Sequence, residues 1–99
     1  MEIADIKDVS VFTEYVGSLF YIEIDPNQFV EIRLIEAANL SVNTRSPDLP
    51  PRVPFSLLFA TQGDIELQQQ TYRVSHKWLG DLPLFLTPVG RDRVESVFN

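Results

Sequence analysis

The chain has no cysteine, and its 99 residues include one methionine, one tryptophan, one histidine and four glycines. Without cysteine there is no disulfide framework and no thiolate metal site, which fits a reducing compartment. One imidazole and no glycine-rich phosphate loop leave little from which a reaction centre can be assembled. No apolar run approaches the roughly 18 residues that a membrane-spanning helix needs, and no basic, apolar leader opens the chain, so the expectation is a soluble, cytoplasmic protein without a membrane partner. Basic residues are also scarce. Eight Lys and Arg against fourteen Asp and Glu give a net charge of −6. Residues 1–50 carry nine acids and three bases, while 51–99 carry five of each. A nucleic-acid partner is bound largely through Lys and Arg on its phosphates, so this balance argues against one.

What is present is a core. Hydrophobic residues make up 44% of the chain, seven of them Phe, at a length that suits a single domain spanning 1–99. Ser10 precedes Val11, Phe12, Tyr15 and Val16, which share one side of a helix. The spacing predicts a short helix near 10–16, capped by the Ser10 hydroxyl and stopped at Gly17. From Phe20 the period becomes two. Phe20, Ile22 and Ile24 alternate with Tyr21 and Glu23, turn chemistry follows at Asp25-Pro26-Asn27-Gln28, and Val30, Ile32 and Leu34 alternate with Glu31 and Arg33. These two strands should form a hairpin.

Pro47, Pro50, Pro51 and Pro54 break any regular element between 41 and 54, which leaves a long surface connection and a place to look for a contact. Phe55, Leu57 and Phe59 then share a face. Ile65 and Leu67, then Tyr72 and Val74, continue the alternation. A turn at Leu79-Gly80-Asp81 leads to strands at 82–87 and 94–98, joined through Pro88 to Asp92. Six strands, or seven, after one small helix indicate a mainly β chain, an antiparallel β-barrel or sandwich. Pro83 cannot donate to a ladder, so its strand should begin at an edge or bulge. Leu82, Leu84 and Leu86 on one face with Phe85 on the other suggest apolar contacts on both sides, one from the helix and the other from a neighbouring subunit.

Chemistry-bearing residues are sparse. His76 would need a nucleophile brought to it by the fold, and its neighbour Ser75 points to the opposite face of an extended strand. A histidine followed by Lys77 and Trp78 reads more readily as a surface or hydrogen-bonding residue. Asp64 and Glu66 share a face, but paired hydrolytic carboxylates flank a cleft from separate elements. No catalytic, cofactor-binding or metal-ligating set emerges, and no cofactor is expected. Trp78 can close the barrel end or anchor a partner. The candidate partner contacts are Trp78, Tyr72, His76, Pro50 and Pro51.

The run Thr71-Tyr72-x-Val74-x-His76, Leu79-Gly80, Leu84-Phe85-Leu86-x-Pro88-Val89-Gly90 and Val97-Phe98-Asn99, with Phe12-x-x-x-Val16-Gly17-x-x-Phe20, resembles a small bacterial family of uncharacterised proteins. Members of that family are often encoded beside proteins resembling phage tail-collar or tail-fibre components. The resemblance implies a small accessory or assembly protein and carries over no catalytic residue. Three functions compete. The first is a non-enzymatic interaction or assembly module that binds a protein partner or itself. The second is a barrel that takes an apolar ligand in a cavity lined by Phe55, Phe59, Leu84 and Leu86, and the third a hydrolase using His76.

Overall fold

The computed structural model describes residues 9–40, 54–62 and 66–98. Helix α1 (Ser10–Thr13) precedes strands β1 (Leu19–Asp25), β2 (Gln28–Asn39), β3 (Phe55–Thr61), β4 (Gln70–His76), β5 (Gly80–Gly90) and β6 (Arg93–Phe98). They close into an antiparallel barrel in the order β1-β2-β3-β6-β5-β4. Closure removes much of the free sheet edge that an open sheet of this size would present. It is completed by a short ladder in which β1 meets β4 at Tyr21↔Ser75 and Ile22↔Val74.

The period of two in each strand sorts side chains between interior and exterior. Phe20, Ile22, Ile32, Leu34, Phe55, Leu57, Phe59, Tyr72, Val74, Leu82, Leu84, Leu86 and Val94 fill the interior as one cluster. Phe20 and Phe59 meet edge to face with centroids 5.2 Å apart. Phe55, Phe59, Leu84 and Leu86, the residues expected to line a ligand cavity, are instead packed into this core. A six-strand barrel has little room beyond its own side chains.

Two of the tight hairpins follow directly from local chemistry. Pro26 and Asn27 join β1 to β2, with Asn27 at φ 87°. Proline followed by a left-handed residue is the pattern of a type II turn, and Asn tolerates that conformation better than most side chains. At the other end Lys77, Trp78 and Leu79 join β4 to β5, and Gly80, paired with His76, takes φ 78°. The turn therefore lies about two residues earlier than the Leu79-Gly80-Asp81 signal suggests.

The helix is shorter than expected, at Ser10–Thr13, with turns continuing to Gly17. Val9 occupies the N-cap position and makes no side-chain cap bond, while Ser10 lies inside the helix. Phe12 reaches the core, with ring centroids 6.0 Å from Phe55 and 5.8 Å from Phe98, which stack on each other at 4.6 Å. Val16 is exposed, because the chain has left the helix before reaching it. Gly17 does adopt the left-handed conformation, φ 97°, and its N–H donates to the Leu34 carbonyl at 2.7 Å. The stop is thus also the first link of the β1–β2 ladder.

Strand β5 is longer than expected at both ends, and it pairs with β6 only from Thr87 onward. Among the described residues, 80–86 of this strand have a ladder partner only in β4, and Pro83 lies in that one-sided stretch. Phe85 is 48% exposed, so no other part of the described chain covers the outer face of β5 at this position. Residues 66–69 are not strand, and the Pro-rich stretch, with Pro50 and Pro51, lies outside the described residues. No helix among the described residues is long and apolar enough to cross a membrane.

Candidate functional site

Alternation along β4 divides the functional candidates. Tyr72, Val74 and His76 point inward, while Arg73 and Ser75 lie on the outer wall. Tyr72 is 7% exposed and its hydroxyl donates to the Gln68 carbonyl at 2.7 Å. His76 is 5% exposed. Neither side chain offers a surface to a partner, and both leave the set of candidate contacts. Trp78, in the turn, is 71% exposed and stands clear of the core, with the Lys77 ammonium 5.1 Å from its ring centroid. It does not close the barrel end. That position belongs to Phe12 and to the cluster around His76.

His76 meets a hydroxyl, though not that of Ser75. Its Nε2 lies 3.0 Å from Ser18 Oγ, and its Nδ1 accepts the backbone N–H groups of Trp78 and Leu79 at 3.1 and 3.2 Å. Two amides can only donate, so Nδ1 carries no proton and the neutral ring holds its proton on Nε2. Nε2–H therefore donates to Ser18, whose own hydroxyl donates to the Tyr15 carbonyl. A serine nucleophile needs the reverse arrangement, an unprotonated nitrogen accepting its proton. Burial lowers the His76 pKa below the ordinary value and holds the ring neutral. The rings of Phe20, at 4.4 Å, and Tyr15, at 4.8 Å, enclose it. This geometry pins three pieces of chain together: the helix exit, the start of β1 and the β4–β5 turn.

A second arrangement lies outside. Across the wall formed by β2, β1, β4 and β5, a groove of about 290 Å³ is lined by Phe29, Glu23, Arg73, Ser75 and Asp81. The register explains the grouping. Phe29 is opposite Glu23, Ser75 pairs with Tyr21 on one side and with Asp81 on the other, and Pro83 is opposite Arg73. Arg73 spans the β1–β4 seam. Its Nη2 and Nε donate to Asp81 Oδ2 at 2.6 and 3.2 Å, and Nη1 lies 3.9 Å from Glu23 Oε2. The Asp81 hydrogen bond, then the charges of Asp81 and Glu23, raise the Arg73 pKa above its ordinary value. Phe29 forms one rim, 59% exposed despite its size.

Sequence reasoning missed both arrangements. The alternation Tyr72, Val74, His76 already carried the signal that His76 faces inward. Ser18 gave none, since it lies 58 residues away. The groove likewise joins strands distant in sequence. Among the described residues no group of three or more His, Cys, Asp or Glu could hold a metal ion.

No curated protein and no solved structure matches the chain. Residues 8–98, covering the helix and all six strands, do match one family. The chain belongs to the domain of unknown function DUF6916.

Proposed function

We propose that this protein is a non-enzymatic interaction module that docks on a protein partner through the outer wall of β2, β1, β4 and β5. One observation carries the reading: the groove presents a large aromatic ring, Phe29, at its rim beside a solvent-facing ion pair, Arg73–Asp81. Aromatic and Arg side chains are enriched at the energetic centres of protein interfaces. Tyr21 and Phe85 lie on the same outer face within two strand positions of the groove residues and extend its apolar character. Trp78 is a separate exposed anchor at the end of the barrel. A setting that suits such a module is a multi-subunit structure, such as the phage-tail-like assembly implied by the resemblance noted above, with the barrel as an accessory part.

The supporting experiment compares captured complexes. Wild-type protein, Phe29→Ala and Trp78→Ala are used to capture partners from native extract, and the same three proteins are measured by light scattering for self-association. A defined complex that Phe29→Ala loses, while its thermal unfolding stays unchanged, supports the groove as the contact face. A complex sensitive only to Trp78→Ala moves the contact to the barrel end and overturns the assignment. Monomers without a specific partner for any of the three overturn the reading as a whole.

A further inference from the structure

The groove's charge has a sign. Glu23 and Asp81 supply two carboxylates against the single guanidinium of Arg73, on a chain whose net charge is −6. Arg73 already spends two of its N–H groups on Asp81. Its contact with Glu23, at 3.9 Å, is looser, so Glu23 is the carboxylate with capacity left. Farther along β2, Arg33 donates from Nη1 to the Gly17 carbonyl, and Glu31 accepts from the Gln62 amide. An anionic group entering here would meet a satisfied Arg73 between two acids. A cationic side chain would lay its aliphatic stem along the Phe29 ring and carry its charge to Glu23. A second copy of this chain would bring another −6 to the interface.

Resting on the reading of the groove as the contact face, we propose that it receives a lysine or arginine side chain from an extended basic segment of a protein partner. The wall's orientation favours an extended segment, since the groove crosses four strands and each supplies at least one lining residue. Arg73 then acts as a counter-charge, offsetting the repulsion between the two acids until the partner's cation replaces part of its role at Glu23.

The test titrates isotope-labelled protein with three short synthetic peptides, alternating Lys-Thr, Glu-Thr and Ser-Thr, and follows backbone amide shifts. The Lys-Thr peptide should saturably shift Glu23, Phe29, Arg73, Ser75 and Asp81, and Glu23→Gln should weaken it about threefold, as suits one partly exposed ion pair. Arg73→Gln should strengthen it by a similar factor, because the groove becomes more negative. A merely structural Arg73 would not produce that gain. If the Glu-Thr peptide binds the groove better, or if Arg73→Gln abolishes binding of the Lys-Thr peptide, the charge assignment is overturned while the groove stands as a contact face. If the Lys-Thr shifts spread without saturation over acidic residues elsewhere, such as Glu14, the assignment is equally overturned. The contact face itself fails only if partner capture also ignores Phe29→Ala.

Discussion

Replacing His76 with either Leu or Asn removes the same ring and leaves a similar space beside Phe20 and Tyr15, but only Asn places an acceptor near the position of Nδ1. The comparison isolates the two amide bonds that fix the β4–β5 turn. In His76→Leu the Leu79 N–H, buried with its residue at 4% exposure, loses its acceptor outright. Stranding such a group costs about 1–3 kcal/mol. The Trp78 N–H is only part-buried and reaches water more easily, so its loss adds about 0.5–1 kcal/mol. Ser18 keeps its bond to the Tyr15 carbonyl in either variant. His76→Leu should therefore be less stable than His76→Asn by about 1.5–4 kcal/mol, although Leu is the more apolar residue in an apolar setting. For a domain of this size each kcal/mol moves Tm by about 4–8 °C, so the two variants should differ visibly by calorimetry. If His76→Leu matches or exceeds His76→Asn, the pin through Nδ1 contributes nothing to stability and the tautomer assignment loses its basis.

The pH dependence has a definite sign as well: unfolded His76 takes up a proton near its ordinary pKa while the buried ring resists, so below about pH 6.5 the unfolded state binds more protons and stability falls. Denaturant melts from pH 7 to pH 5 should show this extra slope in the wild type and not in His76→Asn. Phe12→Ala empties the space beside the stacked Phe55 and Phe98 rings and should cost about 3–5 kcal/mol, read from denaturant midpoints. Gly17→Ala meets no neighbour within 4 Å, so its cost is that of a left-handed backbone alone, about 1–2 kcal/mol in the same melts. Trp78→Ala should leave stability within about 0.5 kcal/mol, because the indole is mostly in water.

Strand alternation made much of the fold legible. Phe55, Leu57 and Phe59, or Leu82, Leu84 and Leu86, read as inward faces from sequence alone and are inward in the barrel. Alternation says which residues share a face but not what covers the other one, and within the described chain nothing covers Phe85. It also placed Tyr72, Val74 and His76 on one side, so the burial of Tyr72 and His76 was open to inference. Their polar groups suggested the surface, but each finds a hydrogen-bond partner inside: the Gln68 carbonyl for Tyr72, and Ser18 with two turn amides for His76. Barrel closure was not legible, because the pairing Tyr21↔Ser75 depends on the position of every strand between them. The groove depends on closure, since Glu23 and Arg73 face each other only across that seam.

Strand β4 ties the core to the groove, and this fixes how the two can be separated. Its inward residues are anchored by His76 at one end and Tyr72 near the other, while Arg73 and Ser75 between them line the groove. A shift of one residue would exchange the two faces, burying Arg73 and exposing Val74 and His76. The His76 hydrogen bonds oppose that slip where it would be easiest, beside a β1–β4 ladder of two pairs. Folding chemistry on the inside therefore sets the spacing of Glu23, Arg73 and Asp81 on the outside. Substitutions on the outward face, such as Phe29→Ala or Arg73→Gln, touch binding without removing any of the anchors. Those at His76 loosen the register first, and any loss of binding they cause should follow the loss of Leu79 and Trp78 amide protection in hydrogen exchange. A His76 variant that lost binding with those amides still protected would place His76 in the contact itself and break the division between the two faces of β4.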